Sequence, residues 1–388
     1  MLRWFLLLNC SLFLLLGCSL KEDSAMLLKP LAKIEKPLSV NMLWSRYDSN
    51  GFGDNNNLMK PVVTGQEVFT VDQDGRVRVY HKSNGDYLWS LFLNQSVANG
   101  LAKSGNYLII GTVTGNVVAV DVKRHIIIWE HKVSSEIVET PIINKNLVIV
   151  RSGDGKVVAL DLLSGKQSWV YAQRMPVLSL KGAGAPVIED DKIIVGFANG
   201  KVVALRLRDG FMLWDVTVSV PKGSSELERI VDLDADLILQ DGIVYAMSYQ
   251  GNITAVETET GTVLWSKEHS SYAGATIQGD VIYLTDDESH VWALDISNGA
   301  SIWKQSVLSD RLLTKPIVIN DYLVAGDGYG YLHWFSKDDG RIIGRYFVDA
   351  GGVSVPVVED NDLYILSNTG QVKALTLNDV GELTGIFR

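Results

Sequence analysis

The sequence predicts an all-β chain, an eight-bladed β-propeller of four-stranded antiparallel blades, from three observations. A turn glycine followed by a short β-run recurs eight times, at Gly75, Gly115, Gly155, Gly200, Gly251, Gly330 and Gly370, with Ser289 standing in for the sixth. Successive starts lie 40, 40, 45, 51, 38, 41 and 40 residues apart. A period of about 40 residues made of short strands marks one propeller blade per repeat. Six units end in a tryptophan at one fixed spacing: Trp89, Trp129, Trp169, Trp214, Trp265 and Trp303.

Each repeat carries four β-runs. Five inner runs open on Pro61, Pro141, Pro186, Pro316 or Pro356, and proline fits the first residue of a strand, where no ladder donor is missed. A polar pair such as Asn144-Lys145 or Asp190-Asp191 turns the chain into a second run, for example Leu147 to Val150. The next turn ends in glycine, as in Asp74-Gly75, Asp154-Gly155 and Asn199-Gly200, because a tight hairpin needs positive φ. The third run ends at a polar position (Asp121, Asp161, Asp295), and a turn containing Gly165, Gly210, Gly261 or Gly299 leads into the outer strand with its tryptophan.

The tryptophans thus share one structural position. A blade cannot bury both faces alone, so they read as wedges between blades rather than as a ligand platform. Two units depart from the pattern. Gly344 stands where the seventh tryptophan would fall, and the eighth unit runs from Gly370 to the C-terminus without one. Trp44, in Leu43-Trp44-Ser45, supplies the missing residue, so an N-terminal strand is expected to complete the last blade and close the ring. The run from Leu383 to Phe387 competes for the same edge.

Residues 1–17 read as a lipoprotein signal peptide, with Arg3 followed by an apolar run, Trp4 to Leu16, too short to span a bilayer. Leu15-Leu16-Gly17-Cys18 resembles a bacterial lipobox, although Leu16 is larger than the residue usual there. That resemblance implies lipidation of Cys18 and cleavage before it. Ser19 rather than aspartate follows, which implies an outer-membrane protein anchored by lipid on the periplasmic side. Residues 18–40 then form a lipidated tether and 41–388 the propeller.

Composition excludes several classes. The chain has 388 residues and a net charge of −10, unsuited to electrostatic capture of nucleic acid or anionic lipid. Cys10 and Cys18 are its only cysteines, so neither a disulfide nor a thiolate metal site is expected in the propeller. The histidines lack metal-ligand spacing, His125 and His131 reading as surface residues. Gly326-Asp-Gly328-Tyr-Gly330 lies at a hairpin turn with no helix after it, so it lacks a phosphate cradle. Asp286-Asp287-Glu288 reads as a solvated turn before it reads as a Ca²⁺ site. No catalytic residue, metal or cofactor is expected.

The Ala-x-Asp-x-x-x-Gly-x-x-x-Trp pattern, at Ala159 to Trp169 and Ala293 to Trp303, resembles the repeat of pyrroloquinoline-quinone-binding propellers. Two groups share it: quinoprotein alcohol dehydrogenases, and BamB-type lipoproteins of the machinery that inserts β-barrels into outer membranes. The dehydrogenases carry an adjacent-cysteine disulfide at the cofactor, which this chain cannot supply. The BamB resemblance covers nearly the whole chain. Its most specific stretches are Arg311 to Pro316, Gly326 to Trp334 and Glu228 to Asp234. It implies a non-enzymatic scaffold that binds the periplasmic POTRA domains of BamA, assists insertion of outer-membrane proteins and handles them unfolded. A quinone-dependent periplasmic dehydrogenase and a periplasmic propeller with an unrelated partner are the alternatives.

The two longest spacings, 45 and 51, are consecutive, which puts insertions between blades 3 and 4 and between blades 4 and 5, on one face. Insertions on one face of a repeat protein are often its binding surface. The first carries Leu178, Leu180 and Lys181; the second carries Arg229, Asp232 and Asp234. An apolar centre with a charged rim suits a protein partner, while solvated loops with inward leucines fit the same residues. The family resemblance implies contact with BamA through Leu178, Leu180, Lys181, Asp232 and Asp234, with part of the pairing through backbone groups at a sheet edge.

Overall fold

A computed structural model of the chain describes residues 30–35, 37–47, 50–52, 59–176, 184–220, 231–233 and 235–377. Residues 1–33 and 34–388 form separate units, and of the first the described residues, 30–33, carry no regular structure. The signal peptide, Cys18 and the run from Leu383 to Phe387 lie outside the described residues.

Among the described residues of the second unit there are thirty-two strands in eight four-stranded antiparallel sheets, and no helix. Blades 1 to 7 span 62–92, 97–132, 142–172, 187–217, 238–268, 274–305 and 317–347, each using four consecutive strands. Blade 8 takes three strands from 357–377 and its outer strand from the N-terminal Val40–Tyr47. That strand pairs antiparallel with Gln371–Leu377, from Val40 opposite Leu377 to Tyr47 opposite Gln371. The ring is therefore closed by an N-terminal strand.

Local chemistry sets each hairpin. Between second and third strands, Asp72 Oδ1 accepts the amides of Asp74 (3.2 Å) and Arg76 (2.8 Å). Asp286 and Asp327 do the same in blades 6 and 7, and hydroxyls serve at Thr112, Ser248 and Ser367. Such Asx and hydroxyl turns fix the bend without a larger loop. Ser289, the glycine stand-in, adopts φ 64°, and its hydroxyl accepts the Leu313 amide at 3.2 Å. Glycine could not supply that tie.

The core lies in the seams between blades. Second and third strands are buried along most of their length, as in Leu147–Ser152 and Lys156–Asp161, while outer strands such as Gln167–Ala172 alternate with solvent. Ile149, Val157 and Trp169 of blade 3 pack with Ile193, Val195 and Phe197 of blade 4. Every repeating tryptophan stands opposite a small or β-branched residue of its own third strand, for example Ala159 opposite Trp169 and Ala374 opposite Trp44. In five of the six the indole N–H reaches one blade on: Trp129 donates to Leu162 O, Trp169 to Leu207 O and Trp214 to Thr258 O, each at 2.9 Å. Trp265 and Trp303 repeat the contact at 3.1 and 2.8 Å. Trp44 donates to Lys82 O at 2.7 Å, joining blade 8 to blade 1.

The next blade's turn glycine must lie under that ring. A Cβ on Gly210 would fall 2.6 Å from the Trp169 ring, closer than any real side chain sits. Blade 2 has His125 at this place, with φ 57°, and its ring stacks on Trp89 with centroids 4.3 Å apart. His125 is thus exposed, yet part of a seam. In blade 7 the two positions exchange residues, Trp334 standing opposite Gly344. Trp334 is fully buried, and Leu38 from the N-terminal segment packs over Gly344 while donating its amide to Ile343 O at 2.9 Å. The tryptophan absent from the outer strand has its counterpart one strand inward.

Candidate protein-docking face

The connections from each outer strand to the next inner strand share one face with the turns between second and third strands. Both insertions belong here: one joins Ala172 to Val187, the other Thr217 to Ile238. Leu178, Leu180, Lys181, Arg229 and Asp234 lie outside the described residues. Asp232 is described, and is 0% exposed. Read from the sequence as a contact residue, it instead roots the loop: Val231 and Leu233 on either side are buried, and its carbonyl accepts the Tyr249 amide at 3.0 Å. Two apolar neighbours turned into the core carry the backbone, and Asp232 with it, below the surface.

The two insertions are rooted side by side. Gly184 N–H donates to Leu233 O (3.2 Å) and Leu237 N–H to Ala185 O (3.1 Å). The Ala185 amide also donates to Asp236 Oδ1 at 3.0 Å. Gly196 gives Leu233 its seat, since a Cβ there would lie 3.0 Å from the Leu233 side chain. The loops therefore leave the ring from one stitched base.

Behind that base, charges converge from residues just before the inner strands. Lys315 Nζ, before Pro316 of blade 7, donates to Asp236 Oδ2 of blade 5 at 2.6 Å. Burial disfavours the Asp236 carboxylate, but Lys315 and Lys60 outweigh it and hold its pKa down at about 2. Burial, with Lys315 beside it, pushes the Lys60 ammonium down. Arg151 lies over the Phe197 ring at 5.2 Å and donates to Gly184 O at 3.0 Å, so it ties the first insertion to blade 3. Its second neighbour is Glu139, 3.6 Å away. Neither Glu139 oxygen has a hydrogen-bond partner among the described residues. Burial pushes this carboxyl up to about 8, against the pull of Arg151 and with Asp236 adding to the rise.

The sign of this coupling is fixed. The folded protein binds the Glu139 proton more tightly than the unfolded chain, so the stability it contributes is complete below the ordinary value of 4.5 and lost as pH rises through about 8. Glu139→Gln should flatten that decline, read as the difference between the two proteins' unfolding midpoints across this range. Equal pH slopes for both proteins would contradict it.

A second network lies under blade 7. Asp327 Oδ2 accepts Arg311 Nε at 2.7 Å and pairs with His333 Nε2 at 2.9 Å. Burial pushes the His333 imidazole down, against the attraction of Asp327. In blade 6, Asp286 pairs with His290 Nδ1 at 2.9 Å and accepts Trp292 Nε1 at 2.8 Å. Asp286 is therefore a buried hairpin keystone, whereas Asp287 and Glu288 are exposed. Among the described residues no group of three or more His, Cys, Asp or Glu side chains could hold a metal ion.

Comparison with known proteins shows what this architecture belongs to. The family model described as outer membrane protein assembly factor BamB matches residues 41–123 and 73–305. The outer membrane protein assembly factor BamB of Yersinia pestis is 33% identical over 380 residues, 94% of this chain and 97% of that one. The crystal structure of BamB from Moraxella catarrhalis superposes with a TM-score of 0.80 at 25% identity, covering 87% of this chain and all of that one. A quinohemoprotein alcohol dehydrogenase from Comamonas testosteroni also superposes, with a TM-score of 0.71 at 11% identity over 87% of this chain and 76% of its own. That likeness is one of fold alone. The assembly-factor reading stands over the quinone-dependent dehydrogenase, and the chain belongs to the BamB family of outer membrane protein assembly factors.

Proposed function

We propose that this chain is a non-enzymatic scaffold of the outer-membrane β-barrel assembly complex, anchored by lipid at Cys18 on the periplasmic side. Residues 1–17 are its signal peptide, and the tether that follows, read from the sequence as 18–40, ends before Leu38, which packs on blade 7 and donates its amide to Ile343 O. It binds the POTRA domains of BamA through the two insertions and so assists insertion of outer-membrane proteins. The observation that carries this reading is the common base of the insertions, where hydrogen bonds join Gly184 and Ala185, at the end of the first, to Leu233, Asp236 and Leu237, at the end of the second. Leu178, Leu180, Lys181, Arg229 and Asp234 would supply the contact surface, with an apolar centre and a charged rim that sets register. Asp232 would act from beneath by holding the second loop.

Co-purification from native membranes tests the reading. Leu180→Asp or Asp234→Arg should abolish recovery of BamA while leaving the thermal unfolding midpoint nearly unchanged. Cys18→Ser should leave the propeller folded but off the membrane, because stable anchoring takes two or more acyl chains. Wild-type recovery of BamA by both loop variants would mean that the partner binds another face.

A further inference from the structure

We propose that blades 6 and 7 carry a second protein contact on the insertion face, formed by Leu312 and Tyr329 and rimmed by Asp287, Glu288 and Asp310. Its occupant is a segment of the same partner that presents an apolar side chain beside lysine or arginine. This rests on the reading that the insertion face binds a protein.

Leu312 is 54% exposed and Tyr329 39%. Leu312 also holds φ 55°, and Asp310 φ 63°, a left-handed conformation that costs free energy for a bulky L-residue. The surrounding structure enforces it. Leu308 and Leu313 on either side are buried, the Asp310 amide donates to Glu288 O at 3.1 Å, and Arg311 O accepts the Gly328 amide at 2.9 Å. Arg311 is held from below by Asp327 and lies over the Tyr329 ring at 5.1 Å. Gly328 sits directly under Leu312, a Cβ there falling 3.0 Å from Leu312 Cδ1. Folding alone would be served better at this position by glycine or asparagine, which tolerate the conformation. An exposed leucine held rigidly in a disfavoured conformation, beside an exposed tyrosine, has the character of a contact residue.

Charge defines the occupant. Asp287, Glu288 and Asp310 are exposed around the pair, while Arg311 is buried against Asp327. An acidic rim around an apolar centre complements a basic and apolar segment. The patch is also continuous with the base of the second insertion through hydrogen bonds. Asp232 O accepts the Tyr249 amide, Gln250 N–H donates to Ser270 Oγ at 2.7 Å, and Ser270 Oγ donates to Asp287 Oδ2 at 2.8 Å. One partner lying across the insertions therefore meets the patch next.

The test is binding of the purified propeller to the isolated periplasmic region of BamA. Leu312→Gly should keep or raise the thermal midpoint, because the conformation suits glycine, and yet weaken binding by at least about tenfold. Glu288→Lys with Asp310→Lys should slow association and reduce its salt sensitivity. If Leu312→Gly and the double lysine variant bind like wild type while Leu180→Asp does not, the second contact is wrong and the insertion reading stands. If Leu180→Asp also binds like wild type, the insertion reading itself fails and the second contact with it.

Discussion

Removing the N-terminal strand, residues through Tyr47, should open the ring and destabilise it by several kcal/mol. The strand is the whole outer edge of blade 8, paired from Val40 to Tyr47. It also carries Trp44, which is buried, lies 6.2 Å from the rings of both Tyr80 and Tyr364, and donates to Lys82 O at 2.7 Å. Tyr80 belongs to blade 1 and Tyr364 to blade 8, so one side chain closes the last seam. Loss of a buried tryptophan alone costs about 3–5 kcal/mol, and the bared edge of Gln371–Leu377 becomes a template for pairing with another chain. Denaturant unfolding and size-exclusion chromatography of the deletion should show both effects. A monomer with the wild-type midpoint would mean that residues after Leu377 close the ring instead.

Trp169→Ala should cost about 3–5 kcal/mol in denaturant unfolding, the usual range for a large buried aromatic. The ring fills the seam between blades 3 and 4, covers Gly210, and spends its N–H on Leu207 O. Alanine leaves a cavity beside a glycine that has no side chain to collapse into it, and it leaves a carbonyl without its donor. Trp169→Phe should recover much of the loss, because it restores the ring but not the hydrogen bond. A loss below about 1 kcal/mol for the alanine variant would show that the seam repacks.

The fold was legible because three local rules agree at each repeat: proline entry into the inner strand, a positive-φ hairpin turn, and one wedge residue per seam. Even the closing strand was readable, since Trp44 answered for the eighth unit. The exchange of Trp334 and Gly344 was visible only as a missing residue. Its compensation depends on cross-strand register, which puts Trp334 at the alanine position, and on Leu38, remote in sequence. His125 beneath Trp89 was missed for a related reason, since the partner lies in the neighbouring blade. The buried charges had a faint signal in Lys60 and Lys315 before prolines, but pairing of Lys315 with Asp236, 79 residues apart, is set by the fold and not by local spacing. The insertions were legible by length alone. Asp232 reads as a contact residue from its place in the second insertion, but its burial depends on Val231 and Leu233 packing into the core, which insertion length does not reveal.

The most direct measurement is a calorimetric titration of the purified propeller, lacking the lipid, with the isolated periplasmic region of BamA. Saturable binding at one to one, abolished by Leu180→Asp in a protein that keeps its unfolding midpoint, is the expected result. Two folded partners that release no heat and do not comigrate, or a Leu180→Asp variant that binds like wild type, would contradict docking through the insertion face.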